Sequence, residues 1–70
     1  MYVIILTPSD DFLATLRALS LELPHVRIST DRVQELVMRP EVSEEDARHW
    51  ANNYMACGKY DKVELVWRKA

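Results

Sequence analysis

This sequence predicts an α+β domain with the element order β-α-β-β-α-β, on three observations. Two strand–helix–strand units stand end to end in 70 residues, each with its own helix-start signal. The first strand, Val3 to Leu6, is an unbroken aliphatic run of the kind that is covered on both faces. Two later segments, Val26–Ser29 and Val63–Trp67, alternate apolar with polar residues, the pattern of half-exposed strands.

Each element follows from local chemistry. The first strand gives way at Thr7, whose hydroxyl can cap a helix, with Pro8 at the first helical position and Asp10 three residues after the cap. Phe12, Leu16, Leu19 and Leu23 then recur at helical spacing, with Leu13 widening the stripe, until Pro24 stops the helix. In the next strand Val26 and Ile28 face one way, Arg27 and Ser29 the other. Thr30-Asp31-Arg32 supplies a turn. Val33 to Met38 reads either as a helix ending at Arg39 before Pro40 or as a strand paired with Val26–Ser29; its match to the first unit favours the strand.

Ser43 caps the second helix, and Glu44, Glu45 and Asp46 in its first turn complement the helix dipole. Ala47, Trp50, Ala51, Tyr54 and Met55 form its buried stripe, and Gly58 sits where a helix ends in a left-handed residue. The last strand puts Val63, Leu65 and Trp67 on one face and Glu64, Val66 and Arg68 on the other. The predicted core packs Trp50 and Trp67 with Leu16 and Met55. The order is that of the ferredoxin-like fold: one domain over residues 1–70, a four-stranded antiparallel sheet, and both helices on one face. The first and third strands would lie parallel at its centre.

The totals narrow the function. Hydrophobic residues make up 49% and charged residues 29%, an ordinary globular balance. The net charge of −2, from 9 basic and 11 acidic side chains, is not that of a nucleic-acid binder. One cysteine forms no internal disulfide. The first residues carry neither a basic leader nor an apolar run long enough for a membrane span, so a cytoplasmic protein without a membrane partner is expected. A domain this small also leaves room for a homodimer or a bound partner to supply part of its stability.

Catalytic chemistry finds little support. His49 and Cys57 stand eight residues apart on one helix, about 12 Å along its axis, too far for a nucleophile–base pair. Two histidines and one cysteine give no zinc spacing, and a single glycine gives no phosphate-cradling loop. No catalytic set, cofactor or metal site is expected, and the chain is read as no enzyme. Base-stacking aromatics are missing from the predicted open sheet face, which argues against direct nucleic-acid contact.

Two surfaces remain. Asp10, Asp11, Glu41, Glu44, Glu45 and Asp46 follow the first and third strands, so both helix starts would gather their carboxylates at one end of the domain. Each cluster also serves to cap its own helix. The open sheet face would carry Arg27, Ser29, Glu35, Val37, Arg39, Glu64, Val66 and Arg68 over alternate residues of the first strand, an aliphatic centre with a charged rim. The binding set is Asp11, Glu41, Glu44 and Glu45 at the acidic end, with Glu35, Val37, Arg39 and Val66 on the face.

Ala47-Arg48-His49-Trp50-Ala51, Gly58-Lys59-Tyr60 and Val63-Glu64-Leu65 together cover less than a third of the chain. In these stretches it resembles the small acidic proteins that bacteriophages direct against host machinery, such as inhibitors of bacterial RNA polymerase or of CRISPR surveillance complexes. The resemblance implies a non-catalytic inhibitor or regulator whose partner is a larger protein with a basic surface. Rival expectations are a homo-oligomeric assembly subunit and a small dimeric enzyme of ferredoxin-like fold.

Overall fold

The computed structural model describes residues 1–69 and runs β1 (Tyr2–Pro8), α1 (Asp10–Glu22), β2 (Gln34–Val37), α2 (Glu44–Ala56) and β3 (Tyr60–Trp67). It is α+β, but the sheet has three antiparallel strands in the order β2-β1-β3, so the four-stranded ferredoxin-like expectation is corrected. The segment Val33–Met38 does supply a strand, at Gln34–Val37. Val26–Ser29 does not.

Local hydrogen bonding explains the missing strand. Gln34 Nε2 donates to the Ser29 carbonyl at 3.3 Å and to the Asp31 carbonyl at 3.2 Å. The Asp31 N–H meets Ser29 Oγ at 3.5 Å. Side chains thus occupy backbone groups that a hairpin ladder would need, and the turn has no glycine to reverse it tightly. Without that strand, β2 pairs with β1 antiparallel, Val3 facing Val37 and Leu6 facing Gln34. α1 and residues 23–33 therefore leave and rejoin the sheet at the same end, where Arg32 and Asp10 stand 3.7 Å apart.

The second unit keeps its logic. β2 and β3 are both antiparallel to β1, hence parallel to each other, and α2 connects them with β1 between. Ser43 caps α2, its Oγ accepting from Asp46 N–H at 3.2 Å, and Gly58 follows the helix at φ +74°. The first helix starts later than its sequence suggests. β1 continues through Thr7 and Pro8, and Ser9 is the cap, accepting from Phe12 N–H at 3.2 Å. Pro8 suits the strand end, where no ladder donor is required of it.

One face of β1 carries Ile4 and Leu6, which pack with Ala51 of α2 and with Leu36, Tyr54, Tyr60, Val63 and Leu65. α2 lies chiefly on β3 and β1, whereas α1 makes no comparably extensive contact with the sheet. Trp50 and Trp67, expected in the core, are 50% and 63% exposed, and Met55 is also exposed. The buried positions of α2 are Ala47 and Ala51 instead. Alanines there let the helix sit close to the sheet, and the larger side chains splay to its flanks.

Ile4→Ala should therefore cost about 2–5 kcal/mol. Trp50→Ala should cost less, although it deletes more atoms. Urea unfolding of the two variants beside the wild type measures both, and the reverse order would show that Trp50 anchors the core.

Candidate functional site

The sheet face beneath α2 is only partly covered. Because α2 lies over β3 and β1, Leu36 of β2 and Met38 just past it look into a groove along the opposite flank of the helix. Tyr54 lies at its middle and lines three adjoining hollows. One, of about 330 Å³, is bounded by Phe12, Trp50, Cys57 and Tyr60. The second, of about 640 Å³, lies between Leu6, Leu36 and Tyr60 on one side and Ser29, Asp31 and Val33 on the other. The third, of about 340 Å³, is formed by Leu36, Val37, Met38, Arg39, Val42 and Trp50.

Edge-to-face aromatic contacts hold the groove open. The Tyr54 and Tyr60 rings stand 5.8 Å apart at 81°, and Phe12 meets Tyr60 at 5.5 Å and 78°. Lys59 Nζ lies 5.4 Å from the Phe12 ring centroid. Burial pushes the Tyr60 phenol above its ordinary value, with Cys57 and Tyr54 adding to the shift, so its hydroxyl stays protonated at neutral pH. Trp50 sits one turn after Asp46 on the same flank of α2.

The acidic residues do not share one end. β1 and β2 are antiparallel, so α1 starts beyond the Leu6 end of their ladder and α2 beyond the Val3 end. The ladder alone puts about 10 Å between them. Asp11 is thereby separated from Glu41, Glu44 and Glu45, and the six-carboxylate cluster is corrected to two smaller ones. Glu44 is also engaged by Arg48 Nη2 at 2.7 Å.

The face away from α2 keeps part of its expected set. Register places Val3 and Ile5 there with Glu35 and Val37 of β2 and Glu64 and Val66 of β3. Arg27 and Ser29 lie outside it, in the segment between α1 and β2, and Arg39 lies past the strand end and lines the groove. Arg68 crosses this face to Glu35, with Nη1 donating to Oε2 at 2.9 Å and Nη2 to Oε1. Such a fork-to-fork pair spans all three strands and passes over Val3, which is fully buried.

The groove was hidden by its own composition. Trp50 and Tyr54 read as core on helical spacing, and the useful signal was the Ala47/Ala51 pair between larger residues. Among the described residues, no polar side chain is buried, no group of three ligating side chains comes together for a metal, and no helix is long and apolar enough to cross a membrane. Comparison with protein families, curated proteins and solved structures found no match for this chain.

The Arg68 hydrogen bonds hold the Glu35 carboxyl below its ordinary value of 4.5, and Glu35 in turn raises Arg68. A carboxyl depressed in the folded chain stabilises it above the ordinary value, and the gain is lost as pH falls through the folded value. Glu35→Gln should therefore melt below the wild type at neutral pH, with the gap closing on acidification. A gap in thermal midpoint that stays constant with pH would assign the loss to packing.

Proposed function

We propose that this chain is a non-catalytic protein-binding domain whose groove beside α2 receives an apolar side chain from a basic surface of a larger protein. The observation that carries the reading is Trp50, a large aromatic left half exposed at the mouth of an aromatic-lined groove. Interface hot spots are enriched in such residues, because a rigid ring fills a pocket at little entropic cost.

Charge selects the kind of partner. Glu41 adjoins Val42 at the end of the groove, and Asp46 lies one turn before Trp50. Among the described residues neither is engaged in an ion pair. These carboxylates suit lysine or arginine around the inserted side chain and would speed the encounter at low salt. An inhibitor that occludes a basic surface of a nucleic-acid-handling protein works in this manner, which is the mode implied by the resemblance to bacteriophage inhibitors. The other acidic cluster, Asp10 and Asp11, adjoins Phe12 at the far end of the groove, where Asp10 is paired with Arg32.

The reading is tested by panning a random peptide library on the chain. Selected peptides should carry basic residues flanking an aromatic or aliphatic one. In a Trp67→Phe background their binding should change the fluorescence of Trp50. Affinity should fall with Trp50→Ala, with Glu41→Lys and with added salt, and should survive Val66→Asp. Peptides that lose binding with Val66→Asp, and not with Trp50→Ala, would move the interface to the other sheet face.

A further inference from the structure

The hollow between Phe12, Trp50, Tyr54 and Tyr60 is assembled from three elements, and local chemistry accounts for its position. Gly58, at φ +74°, ends α2 and turns the chain back toward the sheet, which brings Lys59 and Tyr60 alongside the helix end. The Ser9 N–H donates to the Lys59 carbonyl at 2.9 Å, and the Ser9 hydroxyl caps α1 by accepting from the Phe12 N–H. One residue thus ties the start of α1 to the start of β3, and Phe12 meets Tyr60 across that tie.

Charge in the hollow is one-sided. Lys59 is the one charged side chain lining it among the described residues. Its ammonium stands over the Phe12 ring and is engaged in no ion pair among those residues. Asp11 and Asp61, close by in sequence, do not line the hollow. The other polar side chains are Asn53, the protonated Tyr60 phenol, the Tyr54 phenol and Cys57, whose Sγ donates to the Tyr54 carbonyl at 3.0 Å. A volume of about 330 Å³ falls at the lower end of the range for small-molecule sites.

We propose that this hollow binds a small aromatic carboxylate, with its ring between Trp50, Tyr54 and Tyr60 and its carboxylate on Lys59 Nζ. Aromatic walls alone would equally suit a quaternary ammonium. Lys59 decides against one, because it already supplies the cation over Phe12 and no lining carboxylate offsets a second. The faces of the rings carry negative charge density, so an anionic group is kept off the walls and held at the ammonium. A single ammonium balances one negative charge, and apolar walls would leave the second charge of a phosphate without a partner. This inference goes beyond the proposed function, since it needs no protein partner.

The test is a two-dimensional amide NMR titration of the full chain with phenylacetate, phenethylamine and phenylethanol in turn. Phenylacetate should bind saturably with a millimolar dissociation constant, the range open to so small a ligand. It should move the Lys59 and Tyr60 amides and the indole N–H of Trp50, but not that of Trp67. Phenethylamine should bind roughly fivefold or more weakly. Lys59→Met should reduce phenylacetate to the affinity of phenylethanol, Lys59→Arg should retain it, and Asn53→Asp should weaken it. These positions are exposed, and the spread of the amide spectrum shows whether each variant is folded. Phenethylamine binding as tightly as phenylacetate overturns the proposal. So does a Lys59→Met variant that keeps the preference, a set of shifts elsewhere, or no saturable shift. Basic peptides that bind where phenylacetate does not would overturn this inference alone and leave the proposed function standing.

Discussion

Everything in this structure is hung on β1, the one strand with both edges paired. Its even-numbered residues hydrogen-bond β2 and its odd-numbered residues β3, as the Tyr2–Met38 and Met1–Arg68 bonds show. Its side chains alternate likewise, with Ile4 and Leu6 toward α2 and Val3 and Ile5 away. Val3 and Ile4 are both fully buried, so the strand is enclosed on both faces within a sheet only three strands wide. α2 encloses one face. On the other, the hydrocarbon of Val37 and Val66 and the Arg68–Glu35 bridge do the work of a missing second layer.

That economy shapes the surfaces left over. A helix seated through alanines covers about two strands, so the third keeps an apolar side facing the groove. The same close seating leaves Trp50 on one flank of α2 and Met55 on the other, each exposed. One flank meets the groove and the other the free edge of β3. A single packing choice at Ala47 and Ala51 therefore leaves large apolar side chains exposed at opposite margins of one sheet.

Elements whose signals are local were legible in the sequence. Both helices, the Ser43 cap, the Gly58 terminus and the apolar central strand are each written within a few neighbouring residues. The Val26–Ser29 strand was misread because alternation marks a strand only when a partner edge exists, and Gln34 reaches back to occupy the Ser29 carbonyl instead. From that one error came the parallel pairing of the two central strands and the single acidic end. Trp50 and Trp67 were misplaced for another reason. Helical or strand periodicity shows which side faces the core, but how far a side chain is covered depends on the size of its neighbours. On the sheet face away from α2, parity alone groups Glu35, Val37 and Val66, whereas the pairing of Glu35 with a residue 33 positions away carries no local trace.

The pairing of Met1–Pro8 with Tyr60–Arg68 sets an order of events for a growing chain. β1 is made first, yet half of its hydrogen-bonding groups find partners only in the last strand to be made. Until then the most apolar segment of the chain has at most a four-residue neighbour on one edge and none on the other. Contacts so distant in sequence slow the search for the native sheet, because the loop must close before any contact rewards it. The nascent domain thus passes through a period in which Val3–Leu6 is the segment most open to chaperones or to aggregation.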